Sequence, residues 1–91
     1  MNCIDKNLLL KVADGVRARE EEFGLLIVSK TTPAMSLNMD SKFVWNLIDG
    51  INTVGNIIDK VKVEYEADDV EENVYAILNG FMQLKLVHQA E

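Results

Sequence analysis

Residues 36–54, SLNMDSKFVWNLIDGINTV, decide how this chain is read. They hold a helix start, a helix stop and a second helix start. Asn38 has the short polar side chain that accepts a first-turn amide, Val44, Trp45, Leu47 and Ile48 recur at helical spacing, and Gly50 suits a left-handed stop. Thr53 then caps a second helix with apolar positions Val54, Ile57, Ile58 and Val61. Two capped helices joined by so short a connection read as a helix-turn-helix, and the first question is whether DNA is the partner.

Upstream, VRAREEEFGLLIVSK (16–30) reads as two extended segments with Gly24 near the turn, the second rich in aliphatic and β-branched residues. Pro33 lacks an amide hydrogen and biases Thr32 away from helix, so AMSLN (34–38) reads as a third short strand, an edge unless something covers it. Downstream, Asp68 and Glu71 have capping-box spacing for a third helix with Val70, Val74, Ile77, Leu78 and Phe81 along one face. LKLVHQ closes the chain, with Leu86 and Val87 expected to return to the core. The fold class is α+β: a three-stranded antiparallel sheet followed by three helices, a winged helix-turn-helix variant. Residues 1–12 are read as a mobile arm or a strand that docks on another copy, and 13–91 as a single domain.

With 91 residues, 48% hydrophobic and 26% charged, the chain is long enough for one core and too apolar for disorder. No apolar run approaches the ~20 residues that span a bilayer, and no signal region opens the sequence, so the expectation is a cytoplasmic protein without a membrane partner. Up to Asn38 five acids balance five bases; from Met39 on, ten acids face four bases, so the whole net charge of −6 lies in the second half. A DNA-reading helix draws its affinity from neutralising phosphates. The third helix instead opens on Asp69, Glu71 and Glu72 and meets no base until Lys85, which argues against a nucleic-acid partner.

Little here supports catalysis, a cofactor or a metal. Cys3 is the only cysteine, and His88, the only histidine, has no second ligand at useful spacing. Glu20–Glu22 reads as a solvated hairpin surface, and DDVEE (68–72) lacks the spacing of a calcium loop while suiting a helix N-terminus. Trp45 and Phe43 are aromatic at helical spacing, which fits core packing better than a stacking platform.

Together, VADGVRAREEEFGLLIV, SLNMDSKFVWNLIDGINTVGNIIDKV and an acid-capped final helix ending in FMQLKLV resemble the PqqD-like peptide chaperones, or RiPP recognition elements, over residues 12–87. The most specific part is the Asn-capped helix with Val44 and Trp45, followed by Asp49-Gly50 and Thr53-Val54. The resemblance implies a non-catalytic adaptor that binds the leader of a ribosomally made precursor peptide and presents it to a modifying enzyme, often a radical S-adenosylmethionine protein. In that scheme the leader adds a strand beside the third strand, here Ala34, Met35, Ser36 and Leu37, against a cleft wall of Val74, Ile77, Leu78 and Phe81 with Tyr75 at its margin. A short edge strand beside an apolar helix suits strand addition on physical grounds as well, although core and cleft share the same apolar signature. Two rivals stay open: a winged-helix transcription regulator, and a structural module that forms a homodimer through the same edge.

Overall fold

A computed structural model describes residues 5–30 and 33–90; Cys3, Thr32 and the start of the expected arm lie outside them. Eight elements follow one another: β1 (Leu10–Val12), β2 (Arg17–Glu21), β3 (Gly24–Val28), β4 (Met35–Leu37), α1 (Met39–Asn46), α2 (Val54–Tyr65), α3 (Glu71–Gln83) and β5 (Val87–Gln89). The expected three-stranded antiparallel sheet is present in the order β2-β3-β4 and is followed by the three helices, so the architecture is α+β. A second, two-stranded sheet, β1-β5, is additional.

The meander follows from its side chains. In β3 Leu25 and Ile27 are buried at 3% and 1% exposure, whereas β2, RAREE, is exposed at every position but Glu21. Glu22 and Phe23 make the turn between partners Glu21 and Gly24. Gly24 has φ +146°, and a Cβ there would run into the Leu37 carbonyl oxygen, so only glycine lets β4 lie this close to the end of β3.

Two of the three helix starts match the sequence reading. Asn38 accepts the Ser41 amide at 2.9 Å, and Thr53 Oγ1 accepts the Asn56 amide at 3.1 Å. The third does not: α3 begins at Glu71 after Val70, and no side chain caps it. Val70 is itself drawn into the core at 8% exposure, and the Glu71 carboxylate that a capping box would turn back is held by Lys6 at 2.7 Å. Gly50 also differs from expectation. α1 ends at Asn46 with Leu47 as its cap, and Gly50, at φ +79°, donates its amide to the Leu10 carbonyl at 3.1 Å. The intervening turn is held by Asp49, whose Oδ1 accepts the Ile51 and Asn52 amides, both at 2.9 Å.

The N-terminal segment is fastened to this chain's own body. β1 runs antiparallel to β5, with Lys11 opposite His88, and the Ala90 amide donates to the Leu9 carbonyl at 2.7 Å. The first amides of a helix have no intrahelical acceptor. In α2 the Val54 amide donates to the Leu8 carbonyl at 2.9 Å and the Gly55 amide to the Lys6 carbonyl at 2.8 Å. The arm thereby closes the start of α2 alongside the Thr53 cap. The core joins all layers: Leu10 from β1, Leu25 and Ile27 from β3, Leu37 from β4, one face of each helix, and Leu86 and Val87. Trp45 and Phe81 pack edge to face with centroids 5.1 Å apart, which makes Trp45 a core residue.

Candidate functional site

β4 pairs with β3 through Leu25–Leu37, Leu26–Ser36 and Ile27–Met35, and among the described residues no strand lies on its other side. It is a three-residue edge, shorter than the 34–38 stretch expected. Ala34 precedes it and is exposed; along it Met35 is half-buried, Ser36 exposed and Leu37 buried at 3%. The alternation is that of a strand with one face on the core.

A cavity of about 550 Å³ begins at Asn38, the residue that follows β4 and caps α1. Asp40, Ser41 and Val44 of α1 line it, with Val61 and Tyr65 of α2, then Ala67, Asp69 and Val70 from the connection, and Asn73, Val74, Ala76 and Ile77 of α3. Positions 73, 76 and 77 of α3 share one helical face, and Asp69 from the connection adds a second polar residue to the same hollow. Tyr65 donates its hydroxyl proton to Asp40 Oδ1 at 2.8 Å; burial first, and then that carboxylate, push the phenol above its ordinary range, so it stays a donor. Tyr65 also meets Phe43 edge-on at 5.9 Å.

The nine residues expected at the site therefore divide. Val74 and Ile77 line the cavity that opens where β4 ends; Val74 is 1% exposed and forms its floor, and Ile77 is half-buried. Ala34, Met35, Ser36 and Leu37 form the edge and its approach, with the Leu37 side chain directed into the core. Tyr75 is half-buried against the core and does not line the cavity. Leu78 and Phe81, at 0% and 1% exposure, are core and offer no surface. Sequence reasoning passed over Asp40, Ser41, Tyr65, Asp69 and Asn73, because polar residues at or near helix ends look like ordinary solvated positions; the Asn73–Ile77 spacing of four was the available signal.

A second hollow, about 450 Å³, lies between α1 and α2 and is lined by Phe43, Leu47, Asp59, Lys60, Val63 and Glu64. Among the described residues no cluster of three or more His, Cys, Asp or Glu side chains could hold a metal ion, and no helix is long and apolar enough to cross a membrane.

Comparison with known proteins bears on this geometry. The solved structure of TbiB1 in complex with the TbiA(beta) leader peptide superposes with a TM-score of 0.78 at 19% identity, covering 89% of this chain and 98% of that one, so the two share a fold. No curated protein matches. The model of the family described as coenzyme PQQ synthesis protein D (PqqD) matches residues 24–87, from the first residue of β3 to the first of β5. That stretch takes in the β4 edge, all three helices and the whole cavity lining, and the chain belongs to the PqqD family.

Proposed function

We propose that this chain is a non-catalytic adaptor that binds the leader of a ribosomally synthesised precursor peptide and presents it, in the cytoplasm, to a peptide-modifying enzyme such as a radical S-adenosylmethionine protein. The observation that carries the reading is β4: among the described residues a strand pairs with it on one flank only, and a hollow with an apolar floor begins at Asn38, the residue that follows it. An extended peptide added there continues the sheet, and every second side chain turns toward the helices. The leader bound by the structurally similar TbiB1 supports a peptide of this kind as the guest.

Magnitudes decide where affinity arises. A three-residue edge offers ~2 to 4 backbone hydrogen bonds, each netting about 0.5–1.5 kcal/mol before the peptide's ordering cost. Alone that gives weak binding. Two or three buried apolar side chains at roughly 1.5–3 kcal/mol each bring the total near the ~8 kcal/mol of a micromolar complex. Ile77 is the half-buried wall residue best placed to receive one, so Ile77→Ala is expected to weaken peptide binding about tenfold while removing only ~1 kcal/mol of stability.

The test is a titration of isotope-labelled protein with synthetic leader peptides from the precursor encoded beside this gene, followed by amide NMR. Shifts confined to Met35–Asn38 and to the cavity-facing part of α3 are expected. Silence at these positions against every such peptide sinks the adaptor. Salt-sensitive affinity for DNA in its place would establish the regulator, and concentration-dependent self-association that peptide cannot displace would establish a dimer built through β4.

A further inference from the structure

We infer that the cavity beside β4 takes a cationic side chain, lysine or arginine, from the bound peptide. This rests on the adaptor reading above and specifies the chemistry of its guest.

The cavity combines an apolar floor with unneutralised negative charge. Val44, Val61, Val70 and Val74 are each at most 8% exposed and supply the floor. Asp40, from the first turn of α1, and Asp69, from the connection between α2 and α3, bring carboxylates to it from separate elements. No Lys, Arg or His is among the lining residues. Two bases of the surrounding surface are committed elsewhere, Lys42 to Glu20 at 2.7 Å and Lys6 to Glu71 at 2.7 Å, and Lys62, next to Val61 in the chain, does not line the cavity. Among the described residues neither Asp40 nor Asp69 belongs to an ion pair. The Tyr65 hydroxyl orients Asp40 with a neutral hydrogen bond that leaves its charge in place.

Three kinds of peptide side chain compete for this space. An acidic one meets two carboxylates and is repelled. A purely apolar one satisfies the floor but strips water from the carboxylates without giving them a partner, which is unfavourable. A lysine or arginine lays its aliphatic stem on the valines and places its charged head at the carboxylates, satisfying both. The long-range field acts in the same sense, since the half of the chain that builds the cavity has ten acids against four bases.

The experiment uses acetylated peptides tiling the precursor encoded beside this gene, and a matched set in which each Lys or Arg is replaced, one at a time, by norleucine, which keeps an aliphatic stem and removes the charge. Affinities are read by fluorescence anisotropy at low and high salt for the wild type, Asp40→Asn and Asp69→Asn; unchanged thermal unfolding controls for folding of these exposed-residue variants. In the wild type, loss of one particular basic residue is expected to weaken binding roughly fivefold or more, the effect shrinking in high salt. The aspartate variants are expected to lose that discrimination. Binding that is indifferent to every norleucine replacement, or a norleucine effect that persists unchanged in both aspartate variants, overturns the cation while leaving the adaptor intact. If no tile binds, the adaptor and the cation fall together.

Discussion

β1 and β4 are both three-residue strands, yet the fold treats their flanks in opposite ways. The segment around β1 is used on all sides. Its carbonyls at Lys6, Leu8, Leu9 and Leu10 accept amides from Gly55, Val54, Ala90 and Gly50, while the Ala13 amide donates to the Leu86 carbonyl. β4 has β3 on one side and no strand on the other among the described residues. Strand length cannot account for the difference; what lies alongside does. An open edge is normally a hazard that proteins cover or charge, so leaving one bare next to a hollow points to a guest.

The comparison breaks most severely at Leu37, the β4 residue that belongs to the core. Leu37→Asp leaves an uncompensated buried charge, expected to cost about 3–5 kcal/mol against a total stability of roughly 5–15 kcal/mol. Urea unfolding followed by circular dichroism should show a largely unfolded or strongly destabilised chain, whereas Ser36→Asp, one residue away and exposed, should stay within about 0.5 kcal/mol of wild type while weakening peptide uptake. A native Leu37→Asp protein would mean that the side chain faces the site instead.

Leu10→Ala attacks the sealed side. It empties a fully buried position and is expected to remove about 2–5 kcal/mol, with faster hydrogen exchange at Val87–Gln89 and at the first amides of α2. Peptide affinity of the folded fraction should not change; a parallel loss would couple the two regions.

The smallest effect concerns Lys6 and Glu71. Each side chain's hydrogen bond to the other, then their mutual attraction, raises the lysine above its ordinary range and holds the glutamate below its own. The glutamate's contribution is present above its unfolded value and is lost as pH falls through its depressed folded value. The lysine's persists until pH rises through its elevated one. Carboxyl NMR titration should find Glu71 below the usual glutamate range, returning to it in Lys6→Met.

The parts of this fold legible in the sequence are those with local signatures. Asn38 and Thr53 announce helix starts because their side chains act within three residues, and the Val16–Asn38 meander shows through its turn residues and β-branched runs. The β1-β5 sheet was not legible: LKV and VHQ carry no distinctive pattern, and their pairing joins residues far apart in the chain. The Asp68–Glu71 pattern misled because Val70 gains more from the core than a cap offers. At the site, the edge strand could be read, but the division of the α3 face into core (Leu78, Phe81) and cavity wall (Ile77) could not, since one apolar stripe serves both until its surroundings are known.

The antiparallel pairing of Lys11 with His88 has a consequence for how this molecule is made. The ribosome delivers the first strand of that pair long before the second, so β1 has no strand partner until residues 86–90 emerge, although the carbonyls of Leu8 and Leu10 can meet Val54 and Gly50 earlier. Only then can the two-stranded sheet close over Leu10 and the whole become cooperative. Emergence of β5 thus sets the moment at which this domain can complete its core.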